Sequence, residues 1–179
     1  MTPCIDRPSR RDCCAALAML LLAGCATTGR TSRLAPDDEE QALRAAGIGL
    51  YELSAGRLAQ VHAGRSELQA FGRLLAEHHE TANASLLSLL QSRGVEPPRA
   101  MPAWLELRLA RLRPGGGAGF DQHFVQVAGL EDHERLLAEY ATSASTVQDA
   151  GLRAWFASQL PALRSHLAVA RSLAAAPAA

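Results

Sequence analysis

Three histidines and one glutamate lie on apolar stripes of the sequence, where polar side chains are unusual: Glu52, His79, His133 and His166. Each has apolar residues three or four positions before and after it, which is the spacing of one helix face. A carboxylate or imidazole on such a face is costly to bury without a partner. One carboxylate and three imidazoles suit zinc, copper or iron as a ligand set. The same residues could instead form a structural hydrogen-bond network in which Glu52 accepts from histidine N–H groups.

The elements that must position these residues are amphipathic helices. The chain is rich in Ala and Leu, its apolar residues recur with helical periodicity, and no segment alternates as a strand does. Four main helices are predicted at about 36–63, 66–94, 120–142 and 146–174, with a short extra helix at 103–112 between the second and third. The sequence therefore predicts an all-α protein, an antiparallel four-helix bundle.

Local signals refine the helix ends. Ser66 with Gln69, and Thr146 with Asp149, have the three-residue spacing of a capping box at the start of a helix. Pro161 lies inside the fourth helix and is predicted to kink it about one turn earlier, because its ring nitrogen carries no hydrogen to donate.

Helix geometry allows the heights of the candidate ligands to be compared. At about 1.5 Å per residue, Glu52, His79 and His133 each lie roughly 20 Å from one end of their helices. In an up-down-up-down bundle about 40 Å tall they share the middle level, and His166 comes out roughly 8 Å away. An acid and three imidazoles are therefore predicted to converge. His78, one residue round the helix from His79, is predicted to mark the edge of the apolar face.

The first 24 residues have the pattern of a bacterial lipoprotein signal peptide. A basic patch precedes an apolar run, 13–23, that is too short to span a bilayer, which needs about 20 residues. The run ends in LAGC, which resembles a lipobox whose cleavage leaves Cys25 as the lipidated first residue. Residues 25–36 are predicted to be a tether, 37–174 the bundle domain and 175–179 a disordered tail. Both the general secretory and the twin-arginine export routes remain open.

Composition excludes several classes of function. The 18 basic residues are all Arg and equal the 18 acidic residues in number, so no broad basic surface attracts nucleic acid. Apart from Cys25, the cysteines leave with the leader, so no thiol is left for catalysis. No nucleophile elbow is visible, and a non-enzymatic protein is predicted. Membrane attachment is expected through acyl chains on Cys25.

Four segments carry a resemblance to a known family: YELSAGRLAQ (51–60), AFGRLLAEHHETAN (70–83), GFDQHFVQVAGLEDHE (119–134) and LRAWFASQLPALRSHL (152–167). They resemble domain-of-unknown-function family 4142, exported bacterial proteins often labelled as outer membrane proteins and grouped with ferritin-like bundles. The resemblance covers about residues 38–173 and implies a ferritin-like fold and export. The positions that match the family's motifs are Glu52, His79, Asn83, Phe120, Asp121, His133, Leu160, Pro161 and His166.

The chain departs from the family pattern at two positions. His78 stands where the family usually has an acid, and Phe124 where it usually has Tyr. The resemblance implies supporting roles around the ligands for His78, Asn83 and Asp121. No histidine has the glutamate three residues earlier that a ferritin-type di-iron motif requires.

Two functions from different classes follow. The leading expectation is a lipid-anchored helical bundle with a structural or interaction role in the cell envelope, on the periplasmic face of the outer membrane. Ala26, directly after Cys25, favours the outer membrane under the sorting rule of enteric bacteria. The alternative is a ferritin-like metal-binding protein, active in metal or oxidative stress, that uses Glu52, His79, His133 and His166 to hold Zn, Cu or Fe.

Overall fold

The structure is a computed structural model that describes residues 33–112 and 117–176. The described residues form helices and no β-strand: α1 (Pro36–His62), α2 (Ser66–Ser92), α3 (Ala103–Leu112), α4 (Ala118–Phe124), α5 (Asp132–Thr146) and α6 (Ala150–Ala175). A π-helical turn, Val125–Glu131, joins α4 to α5. The predicted all-α class is confirmed. The predicted signal peptide, Cys25 and most of the tether lie outside the described residues.

The predicted capping box at Thr146 and Asp149 is wrong. Thr146 ends α5, and Asp149 is itself the N-cap of α6, accepting from the Leu152 amide at 2.8 Å. The helix breaks here because the buried carboxylate of Asp38, on α1, accepts from the backbone amides of residues 148 and 149. A contact from more than 100 residues away therefore decides this boundary. The helix α6 continues through Pro161.

A residue distant in the sequence also holds the turn between α1 and α2. The capping box expected at Ser66 is absent, because Gln69 donates instead to the carbonyl oxygen of Ala63 at 2.9 Å. The backbone amides of Gly64 and Arg65 donate to the carboxylate of Asp121, on α4, at 2.8 and 3.0 Å. The supporting role among metal ligands that was expected for Asp121 stays a prediction, because the bonds of its carboxylate go to this turn and not to a candidate ligand. Its carboxylate ties α4 to this turn.

Replacing Asp121 with alanine is expected to lower the free energy of unfolding by about 1–2 kcal/mol, because two amides lose their acceptor. Urea unfolding measures this loss, and metal binding should be unchanged. Glu77→Ala, which removes an exposed carboxylate on α2, is the matched control and should cost less than about 0.5 kcal/mol. Equal losses in the two variants would contradict the capping role.

Neighbouring long helices run antiparallel around a ring. Three pairs pack closely, and side-chain hydrogen bonds link α5 to α1. Pairs of facing residues define this order: Gly56 with Gly72 for α1 and α2, Ser85 with Trp155 for α2 and α6, Phe156 with Tyr140 for α6 and α5, and Ser143 with Gln41 for α5 and α1. The first pair is the tightest. A Cβ atom added at Gly56 would lie 2.6 Å from the carbonyl oxygen of Gly72, so no side chain fits there.

The direction of the third long helix differs from the prediction. The backbone amide of Gly117 donates to the carbonyl oxygen of His62, so α4 starts at the end where α1 finishes. The chain therefore returns to that end between α2 and α4, and α3 packs on α1, next to Gly47. As a result α2 and α5 run in the same direction. The predicted up-down-up-down order is wrong, and the observed order is up-down-down-up.

The interior between the helices is apolar, with leucine, alanine and phenylalanine side chains fully buried. A few polar side chains interrupt it, and Glu52, Asp132, His79, His133 and His166 are among them. None of the described helices combines the length and the hydrophobicity that a transmembrane segment requires.

Candidate metal centre

Four different helices each deliver one of the predicted ligands to the interior. Glu52 comes from α1, His79 from α2, His133 from α5 and His166 from α6. Glu52 and His133 are 0% exposed, and the other two are at most 6% exposed. The structure brings together all four side chains that the helix heights predict to converge.

The cluster contains two overlapping groups of three residues. Glu52, His79 and His133, here called the inner triad, each offer a ligand atom within 4.8 Å of the other two. The same holds for His78, His79 and His166, here called the outer triad. His79 belongs to both. Each group has the composition and spacing to hold a metal ion.

His78 is closer to the cluster than its predicted place at the edge of the apolar face. Its ring centroid lies 4.8 Å from that of His166 and 5.1 Å from that of His79. The reason is that α6 packs against the edge of α2, so the edge faces a neighbouring helix instead of solvent. His78 is half-buried and is a candidate ligand, not only a supporting residue.

Hydrogen bonds orient two of the rings. His133 Nδ1 lies 2.7 Å from the carbonyl oxygen of Ala128, and since a carbonyl only accepts, Nδ1 carries the proton. His133 Nε2 of the neutral ring is then an acceptor, and His166 Nδ1 donates to it at 3.2 Å. Ala128 lies in the π-helical turn, a feature common at functional sites that the sequence pattern did not reveal.

Several buried polar atoms of the cluster have no hydrogen-bond partner among the described residues. They are both carboxylate oxygens of Glu52, Nδ1 of His78, Nε2 of His79 and Oδ1 of Asn83. The hydrogen-bond network considered from the sequence would have Glu52 accept from a histidine, and no such bond is found in the described part of the chain. Burying a carboxyl group without a partner is costly, and a bound cation would satisfy it.

The chain matches a known protein family over most of its length. A family model described as a domain of unknown function, DUF4142, matches residues 23–173. The chain belongs to the DUF4142 family. The predicted membership is confirmed, and the match contains both triads. No curated protein matches the chain.

Burial sets the charge states in this DUF4142 protein. It raises the pKa of Glu52 well above its usual range, and the nearby Asp132 raises it further. Arg135 and Arg108 oppose the shift. Burial lowers the pKa of His133 to about 4 and that of His166 to about 3.

Burial also lowers the pKa of His79 well below 6.5, with the neighbouring histidines adding to the effect, and it lowers the pKa of His78. The four imidazoles are therefore neutral at pH 7, which is the form that binds a metal.

A second buried network lies beside the inner triad of the DUF4142 protein. Asp132 is fully buried and accepts from the Tyr51 hydroxyl at 2.8 Å. Arg108, on α3, and Arg135 approach the same carboxylate at 2.9 and 2.8 Å. The apolar stripes of the sequence do not predict this network. The available signal was that Tyr51 and Asp132 directly precede Glu52 and His133 on facing helices.

Asn83, whose supporting role stays a prediction, is buried on α2 next to the cluster in this DUF4142 protein. It lines a cavity of about 10 Å³ together with His78 and His79. The remaining described histidines, His62 and His123, are exposed and lie outside both triads.

Proposed function

We propose that this DUF4142 protein binds a metal ion with Glu52, His79 and His133. The observation that carries the proposal is the Glu52 carboxyl group. It is fully buried, neither of its oxygens has a partner among the described residues, and it lies within 4.8 Å of a ligand nitrogen of His79 and of His133. A purely structural cluster would pair this carboxyl group with a histidine N–H. The lack of such a bond among the described residues therefore favours metal binding over the structural role, which was the leading expectation from the sequence.

The ligand types narrow the choice of metal. Imidazole suits Zn²⁺, Cu²⁺ and Fe²⁺, whereas Mg²⁺ and Ca²⁺ require mainly oxygen ligands. The second nitrogen of His133 donates to the carbonyl oxygen of Ala128, which is the usual support for a metal-binding histidine. A role in binding one of these ions, in metal or oxidative stress, fits the site, and no catalytic activity is proposed.

We further propose a ferritin-like four-helix bundle, anchored by acyl chains on Cys25 to the periplasmic face of the outer membrane. The family membership and the antiparallel ring of α1, α2, α6 and α5 support the bundle. The lipobox resemblance at residues 22–25 supports the anchor.

Metal analysis of untagged protein tests the proposal. One equivalent of Zn²⁺, Cu²⁺ or Fe²⁺ per chain is expected, and the ion at a hundredfold excess over its Kd should raise Tm by about 5–10 °C. His79→Ala should abolish both effects because His79 contributes to each triad. His123→Ala, an exposed histidine outside the cluster, is the control and should bind as the natural chain does. A protein that stays metal-free and shows no shift in Tm would overturn the proposed function.

A further inference from the structure

The inner triad is fully enclosed, so an ion must reach it through another position. Glu52 and His133 are 0% exposed. A groove of about 380 Å³ between α1 and α5 is lined by residues such as Arg44, Ile48 and Glu139 and by no residue of either triad. The Glu139 carboxylate in this groove is paired with Arg44, so the groove offers an ion no ligand of either triad.

A small cavity of about 10 Å³ lies beside the cluster. Its lining includes His78 and His79, two members of the outer triad, with Asn83 and Gln159, but not His166, Glu52 or His133. It therefore borders the cluster on the side of the outer triad. Polar groups concentrate here: Nδ1 of His78 and Oδ1 of Asn83 are buried, and neither atom has a hydrogen-bond partner within residues 33–112 and 117–176. His78 is also the most exposed of the five candidate ligands.

The two triads are arranged for a step from one to the other. They share His79, so an ion can keep one ligand while it exchanges the rest. His166 donates from Nδ1 to His133, which leaves its Nε2 lone pair free for an ion in the outer triad. Moving the ion inward exchanges His78 and His166 for Glu52 and His133, and the Glu52 carboxyl group releases its proton as it binds the ion. Nε2 of His133 then releases the His166 proton donor and takes the ion.

We propose that the outer triad, His78, His79 and His166, is a capture position that receives a Zn²⁺-like cation and passes it to the inner triad through their shared His79. The inference rests on the proposed metal binding and adds a route to it. An all-imidazole position selects ions such as Zn²⁺, Cu²⁺ or Ni²⁺ before they reach the carboxylate, because Mg²⁺ and Ca²⁺ bind imidazole poorly.

Uptake kinetics of Co²⁺, a spectroscopic substitute for Zn²⁺, test the route. In His78→Ala, uptake and chelator-driven release are both expected to slow by about tenfold, a typical effect of losing one group around a metal site. Their ratio, and hence Kd, should stay within about threefold of the natural chain, because His78 does not hold the ion in its final position. His123→Ala is the kinetic control, and His78→Gln repeats the test with a polar side chain should the alanine variant misfold.

The possible outcomes separate the route from the site. An unchanged uptake rate in His78→Ala would overturn the capture position. Weaker equilibrium binding with faster release would also overturn it, because His78 would then be a permanent ligand. A second Co²⁺ equivalent that disappears in His78→Ala would overturn it in favour of two resident ions. A natural chain that binds neither Co²⁺ nor Zn²⁺ would instead overturn the proposed function itself.

Discussion

Replacing Glu52 with leucine is expected to stabilise the metal-free protein and to abolish metal binding. The carboxyl group is buried and both its oxygens lack partners in the described part of the chain, so removing it should raise the free energy of unfolding by about 1–3 kcal/mol. The same change removes the only carboxylate of the inner triad, which should weaken metal affinity at least about 100-fold. Urea unfolding in chelator and metal titration measure the two effects.

Opposite signs for stability and binding identify a residue kept for function at a cost to the fold. Glu77→Leu, at an exposed position of α2, is the matched control and should change neither quantity by much. Glu52→Gln keeps the size of the side chain and separates the loss of charge from the change in shape. If Glu52→Leu destabilises the metal-free protein instead, the carboxyl group has a structural partner in solution and the sequence-based structural role is restored.

The metal-free protein is expected to be most stable near pH 6.5 and to lose stability on both sides. On the acid side, the folded state lowers the pKa of His133 from 6.5 to about 4 and that of His166 to about 3. Between these values and 6.5 the unfolded chain binds more protons, so stability falls as pH decreases. His133 alone should cost on the order of 3 kcal/mol by pH 4.

On the alkaline side, Glu52 reverses the sign of the pH dependence of stability. Its folded pKa is raised well above its ordinary value of 4.5, so the folded state holds a proton that the unfolded chain has released. Stability therefore falls as pH rises toward the folded pKa of Glu52. Below pH 6.5 the four buried or half-buried histidines outweigh this single carboxyl group.

Urea unfolding in chelator from pH 4 to pH 9 measures the profile. Glu52→Leu should remove the alkaline decline and keep the acid decline, which assigns each side to its group. A flat profile between pH 4 and 6.5 would show that the imidazoles are not enclosed as the structure places them.

The sequence alone was enough to predict the helices and the convergence of the ligands. Helical periodicity located α1, α2 and α3 to within about two residues, because an apolar stripe follows directly from the spacing of the residues. The heights of Glu52, His79 and His133 were right although the direction of α5 was wrong. A residue at the middle of a helix is equally far from both ends, so reversing the helix leaves it at the same level.

Only the tertiary structure decided in which direction each helix runs and which of its faces meets a neighbouring helix. The position of His78 depends on which edge of α2 meets α6, and the role of Asp121 depends on α4 reaching a turn that lies 57 residues earlier in the chain. The Asp132 network likewise needs Arg108 from the returning connection. These features arise from contacts between distant segments, which local spacing does not encode. Residue types and periodicity therefore determined which side chains go inside, and helix packing decided which of them meet.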